Sequence, residues 1–417
     1  MSTDANARQE WRAGWLLAVS CLAGMTIGSV MMYSLGAFVV PLEEEFGWSR
    51  AQITLGLTVT TLSGAVLAPF AGALLDRWGP RRIALPGALV ALATIAMLAF
   101  ATESFALWLG LWFLLSVGAI GVTPTIWTMA VASNFQKARG LAIAVAFCGS
   151  SVSAIIMPIL ATWLIDTYGW RAAFPMISGI VAVVLWPVLF FGLRSKADEA
   201  VKPGLRGAAK QSAPAGPGVL NLRDAIFSPQ FIKLALAAFL FTAAGIGLVS
   251  NLIPVMSSME FSRAQAAGIA GLLGVASFTG RLITGYLIDR FDSNMIAGAL
   301  VSFPVFSCMI LLNAQGDPLL AAVAVVILGL SLGAEVDVIA YLAAEKFGTA
   351  RYGTIFGFIA SSWYLATAIG PVLISLVYDL TGTYNLALYV AMPLFALVSL
   401  LLFTLGKPLP FDEPARA

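Results

Sequence analysis

The sequence predicts an all-α membrane protein of twelve transmembrane helices in two pseudo-symmetric six-helix halves, and three observations carry that prediction. Of 417 residues, 60% are hydrophobic and 11% charged, against about 45–50% and about 25% in ordinary soluble domains. The mean hydropathy is +0.92, and a water-soluble fold has nowhere to hide that much apolar surface. The apolar residues also fall into twelve long runs, and one charged motif recurs at matching places in the two halves.

A spanning helix needs about 20 largely apolar residues, and charges or Gly/Pro clusters mark the ends of each run. In order, the runs lie near 14–40, 51–75, 83–101, 106–132, 138–163, 171–193, 229–256, 264–288, 294–313, 318–344, 353–378 and 384–406. The first is too long for a cleaved signal peptide and leads into PLEEEFGWSR, which reads as a polar turn. The interval 194–228 carries GLRGAAKQSAPAGPG, a flexible-linker composition. It divides the chain into an N-terminal half (1–193), a linker (194–228) and a C-terminal half (229–417). Pro124, Pro158, Pro254 and Pro371 lie inside runs four, five, seven and eleven and permit bending there.

Orientation follows from the basic residues. Of 23 Lys and Arg, only Arg50, Arg171 and Arg263 fall on the outer side when the N-terminus is placed in the cytoplasm, with Arg281 inside a run. Both termini and the linker are therefore expected to be cytoplasmic. The net charge of +2 gives no argument for nucleic acid. Cys21, Cys148 and Cys308 lie in apolar runs without paired spacing, so neither a disulfide framework nor a metal site is expected.

The repeated motif is GALLDRWGPRR (72–82) after run two and GYLIDRF (285–291) after run eight. Gly72 and Gly285 let a neighbouring helix come close. Asp76 and Asp289, at helix ends, suit pairing with basic side chains or capping of the next helix. With Arg77, Gly79, Arg81 and Arg290, these residues predict a gating clasp that holds two helices together in one state of the molecule.

Three charges lie deep within runs: Arg281, Glu335 and Asp337. Arg281 precedes Asp289 by eight residues, and Asp337 precedes Glu345 by eight, so each sits roughly 12 Å in at about 1.5 Å per residue. Equal height predicts an Arg281–Asp337 ion pair if runs eight and ten adjoin. Glu335 and Asp337, two residues apart, point about 200° away from one another. Charges at such depth usually face a cavity and a partner. Arginine, with a planar fork and a permanent charge, suits a carboxylate ligand; both acids are candidate proton carriers, or Glu335 is an acceptor between helices. With no histidine in the chain, no imidazole is available for proton relay, general-base work or metal binding. There is no Walker-type phosphate loop and no soluble domain to build a site, so no enzyme activity, cofactor or ATP-driven step is expected.

Twelve runs, a central loop and G-x-L-x-D-R-x-G-x-R-R between runs two and three resemble the major facilitator superfamily. YSLGAFVVPLEEEFGWSRAQIT (33–54), NFQKARGLAIAVAFCGSS (134–151) and the arginine in FTGRLITG (278–285) resemble its bacterial monocarboxylate and oxalate/formate branch. The resemblance implies that Arg281 contacts a substrate carboxylate and that runs one, four, five, seven, eight, ten and eleven line the cavity. It directs attention to Tyr33, Thr125, Trp127, Phe147, Asn251, Tyr341, Trp363 and Tyr364. Animal monocarboxylate carriers have a lysine in run one and an aspartate shortly before the arginine, and oxalate exchangers a lysine in run eleven; this chain has none of them. One buried cation in place of two favours a monoanion. The expected function is proton-coupled symport of a monocarboxylate, lactate- or pyruvate-like or aromatic, by a monomer in the lipid bilayer. The alternatives are an organic-anion exchanger, a drug exporter and, more remotely, a transporter-like sensor.

Overall fold

The computed structural model describes residues 2–200, 222–257, 259, 261, 263–314, 316–349 and 351–407, and among these it contains helices and no strand. Among the described residues, twelve helices are long and apolar enough to cross a membrane: α1 Asn6–Phe46, α2 Arg50–Trp78, α3 Pro80–Phe100, α4 Phe105–Asn134, α5 Arg139–Tyr168, α6 Trp170–Gly192, α7 Pro229–Ser250, α8 Gly268–Ile288, α9 Ser293–Leu312, α10 Pro318–Phe347, α11 Tyr352–Thr381 and α12 Asn385–Phe403. Every predicted run is one of these helices. Most of the predicted linker, residues 201–221, lies outside the described residues; its flanks form short helices at Lys196–Ala200 and Leu222–Ile226.

Three local features depart from the sequence pattern. The helix of α1 begins at Ser2 and continues through Pro41 to Phe46, so the expected polar turn PLEEEF is helical. Glutamates are good helix formers, and the turn waits for Gly47 (φ 67°) and the Ser49/Gln52 capping box that starts α2. In α4, Pro124 does more than permit bending. Ala119–Val122 tightens to a 3-10 turn, Thr123 is extended (φ −66°, ψ 150°) and the helix restarts at Pro124, as the residue before a proline prefers. Run seven, read as continuous to 256, stops at Ser250 and resumes as a short helix, Leu252–Ser257.

The chain forms two compact units: Met1–Ala138 with Val145–Pro217 and Thr349–Ser361, and Arg139–Ala144 with Gly218–Gly348 and Ser362–Ala417. In the first unit, small residues admit close neighbours. Gly24 leaves room for the Trp127 ring, Gly56 for Trp112, and Gly87 and Gly121 face each other between α3 and α4. Trp108 donates to Ile53 O (3.2 Å), and Thr26 on α1 donates to Gly149 O on α5 (3.0 Å). At the end of α1, Glu45 accepts from Arg171 (2.7 Å) and from the Trp170 indole. In the second unit, α8 lies against α10 with Gly280 at Leu330 O and Gly333 at Ser277 O, positions where any Cβ would overlap the neighbouring backbone. Ser307 on α9 donates to Ala324 O on α10 (2.7 Å), and Phe241 meets Phe395 edge-on between α7 and α12.

Candidate functional site

The glycine-permitted approach of α8 and α10 has a chemical consequence one turn further along. Arg281 Nη1 lies 2.5 Å from Asp337 Oδ1, with side chains 13% and 4% exposed. The equal heights counted along the two helices thus become an ion pair in the interior of the second unit. Asp337 Oδ2 is buried and has no hydrogen-bond partner among the described residues. Glu335, also buried, accepts from Thr242 Oγ1 on α7 at 3.0 Å. The two acids of α10 therefore serve different neighbours, Asp337 facing α8 and Glu335 facing α7, as a 200° separation on a helix requires.

A close pair of this kind is held by geometry as much as by charge. Desolvating two ions is expensive, and removing one partner leaves the other charge buried and uncompensated. A guanidinium can hold a carboxylate through two parallel N–H···O bonds, so an arginine at this place is chemically suited to a carboxylate partner.

The motif residues are also placed. Asp76 accepts from the backbone N–H groups of Gly353 (2.8 Å) and Thr354 (2.8 Å) and from Thr354 Oγ1 (2.6 Å). It therefore caps the start of α11. The next helix, α3, which the sequence also allows as its partner, is served by another carboxylate: Asp198 accepts from Arg81 N (2.7 Å) in the first turn of α3. In the second unit, Asp289 accepts from Gly140 N (2.6 Å) and Leu141 N (2.9 Å) at the start of α5. The first N–H groups of a helix have no intrahelical acceptor and carry partial positive charge, which is why a carboxylate settles there. Close approach is reciprocal in each case: Gly72 and Gly353 abut one another's carbonyls, and so do Gly285 and Gly140. Gly79 joins α2 to α3 at φ 81°, a conformation that suits glycine. The Arg81 guanidinium donates to Leu193 O (2.6 Å) and Phe190 O (2.7 Å), and Arg290 stacks over Tyr286 at 4.2 Å. Arg77, also of the motif, is exposed on the last turn of α2.

The remaining candidates separate. In the first unit, Thr125, Trp127 and Phe147 are buried and Tyr33 is half-buried. Trp127 fills the gap at Gly24 and donates to Val122 O (3.2 Å), so its contacts are those of packing. In the second unit, Asn251 ends α7, donating to Gly247 O (3.0 Å) and Pro371 O (3.4 Å) and accepting from Ser375 (3.2 Å). It ties α7 to α11 and has little left for a ligand. Tyr341 lies one turn after Asp337 on the same face of α10, half-buried. Trp363 and Tyr364 are half-buried neighbours on α11, with ring centroids 5.3 Å apart. An open cavity of about 360 Å³ at Glu45, Phe46, Thr102, Glu103, Ser104 and Arg171 includes none of the predicted site residues.

Sequence reasoning missed Thr242, Asp198 and Lys346. Thr242 was visible as a polar residue in an apolar run, but its value depends on which helix faces it. Asp198 acts on backbone amides, which leave no mark in the partner's sequence. Lys346, 3% exposed, pairs with Glu345 (2.8 Å) at the end of α10, just beyond the predicted run.

Comparison with known proteins agrees with the fold. The Major Facilitator Superfamily profile matches residues 16–371. Monocarboxylate transporter 11 of Homo sapiens is 26% identical over 415 residues, covering 96% of this chain and 84% of that protein. The 4-hydroxybenzoate transporter PcaK of Acinetobacter baylyi is 23% identical over 403 residues, covering 86% of each. Among solved structures, the E. coli fucose:proton symporter FucP superposes with a TM-score of 0.70 at 15% identity, over 94% of this chain and 98% of that one.

Proposed function

Because the chain belongs to the Major Facilitator Superfamily and is a transporter, we propose that it carries a monocarboxylate together with a proton, with Arg281 as the anion site. The observation that supports this reading is the Arg281–Asp337 pair in the interior of the second unit. In the empty carrier Asp337 occupies the arginine. Protonation of Asp337 releases the guanidinium, a substrate carboxylate takes its place, and the site returns to electroneutrality before it is exposed on the other side. Glu335, held by Thr242, lies close enough to Arg281 and Asp337 to act on both through its charge. Tyr341, on the face of α10 that carries Asp337, supplies a flat wall and a hydroxyl to the body of the acid. Relatives named for monocarboxylates and for 4-hydroxybenzoate agree with one carboxylate on an apolar or aromatic body.

Asp76 and Asp289, each capping a helix whose first turn belongs to its own unit, act as gates that must open and reform in each cycle. The protein works as a monomer in a bacterial inner membrane, with both termini cytoplasmic, as the distribution of basic residues favours.

The test is purified protein in liposomes with a trapped pH dye, challenged with lactate, pyruvate and 4-hydroxybenzoate. Internal acidification that accompanies uptake of one acid and disappears in Arg281→Gln is the expected result. Exchange without proton movement, and only when acid is preloaded inside, would replace symport with anion exchange.

A further inference from the structure

The segment between α4 and α5 is held by a second carboxylate that belongs to no recognised motif of the gate. Glu10 lies near the start of α1, ahead of the apolar run. Its Oε2 accepts from three successive backbone N–H groups, Gln136 (3.2 Å), Lys137 (3.0 Å) and Ala138 (3.1 Å), and its Oε1 from Lys137 N (3.2 Å). Neighbouring residues of α1 seat the same segment. The Trp11 and Phe135 rings pack at 5.3 Å, and Gly14 provides the space that the buried Phe135 ring fills. Asn134 Oδ1 accepts from Lys196 N (2.8 Å) on the other side.

Two residues beyond the last of these amides, Asp289 holds Gly140 and Leu141. Two carboxylates therefore grip five of six consecutive amides, and the boundary between the compact units falls between Ala138 and Arg139, inside that grip. The loop before α11 is built differently, turning through Gly348 (φ 70°), whose N–H returns to Ala344 O.

We infer that Glu10 is a positioning residue of the transport cycle. It anchors residues 136–138 to α1, so that when Asp289 lets go of α5 the chain pivots at 138–139 and the rest of the loop stays in place. A carboxylate spread over three amides grips backbone alone, which makes the anchor indifferent to the side chains of the loop. This role does not depend on which acid is carried.

Hydrogen–deuterium exchange of ligand-free, full-length protein reads both grips directly, because these loop and first-turn amides owe their protection to the two carboxylates. In Glu10→Ala, exchange at 136–138 is expected to quicken about tenfold or more, the loss of charge-assisted hydrogen bonds. In Asp289→Asn, exchange at 140–141 quickens while 136–138 stays protected. Lactate and 4-hydroxybenzoate uptake in liposomes should show Vmax for the carried acid lowered about threefold to tenfold in Glu10→Ala with KM little changed, and partly restored in Glu10→Asp. Unchanged exchange at 136–138 in Glu10→Ala overturns the inference. So does loss of protection over both segments in Asp289→Asn, which means that the loop moves as one piece. A fall in melting temperature with Vmax and KM altered together in Glu10→Ala would reduce Glu10 to a structural contact. If wild-type protein carries neither acid, the substrate reading fails, and the two exchange patterns still decide the role of Glu10.

Discussion

Asp76 in the first unit and Asp289 in the second treat a helix N-terminus in the same way, each taking two successive amides beside a pair of abutting glycines. The interiors do not match. Among the described residues, the charged side chains buried below a tenth of their surface, Glu335, Asp337 and Lys346, all belong to the second unit, whereas the buried polar side chains of the first are serines and threonines. The contrast shows what a duplicated architecture keeps and what it lets diverge. A cap on a helix terminus uses backbone N–H groups that every helix supplies, so both copies retain it with little demand on sequence. A buried ion pair such as Arg281–Asp337 needs one particular side chain with one particular partner, and it is found in the second unit.

The largest effect expected from breaking this contrast is at Arg281. Arg281→Gln should lower uptake by about 100-fold or more, since truncating a buried charged partner typically costs about 2–5 kcal/mol. Initial rates in liposomes check it, with thermal unfolding to exclude collapse of the fold. Uptake within a few fold of wild type would move the anion site out of the second unit.

Next comes Asp337→Asn, which removes the competing carboxylate and keeps the shape. The expected outcome is substrate binding that no longer changes with pH between about 5 and 8, together with lost proton movement, whereas wild type binds better as pH falls. The sign follows from the mechanism: the proton frees the arginine, so acid promotes binding. Binding measured across that pH range decides it, and a pH slope equal to wild type would discard Asp337 as the proton carrier.

The end clamps sharpen the other side of the comparison. Gly72→Ala and Gly285→Ala each place a methyl against a facing backbone, and each should cost about 1–3 kcal/mol in the clamped state by overpacking. Similar losses of Vmax in the two variants would establish that the gates are equivalent. A loss in only one would make the gating as asymmetric as the interior. The smallest effect on uptake is expected for Thr242→Val, which takes one neutral hydroxyl from Glu335 and should lower stability by about 1–3 kcal/mol, read as a modest fall in melting temperature with Arg281-dependent uptake retained.

Much of this architecture is legible in the linear chain because a bilayer imposes a one-dimensional rule. Each crossing must satisfy its own backbone and present about 20 apolar residues, so twelve helices can be counted before any of them is packed. Helical pitch likewise fixes that Arg281 and Asp337 lie equally deep and that Glu335 and Asp337 face apart. Boundaries were less legible where polar residues are nonetheless helical: α1 runs through Pro41 and Glu43–Glu45 to Phe46, since helix propensity there is not opposed by any need to leave the helix.

The sequence by itself determined the number of crossings, the height of each buried charge and the repeat of the Asp-Arg motif, since each follows from local hydropathy, a fixed rise per residue or plain recurrence. Only the tertiary structure decided that Asp76 caps α11 and leaves α3 to Asp198, that Thr242 faces Glu335, that Asn251 is spent on Pro371 and Ser375, and that Glu10 grips 136–138. Those choices depend on which helices adjoin, and most of them end on backbone atoms, which are the same in every residue and so leave no signature in the sequence.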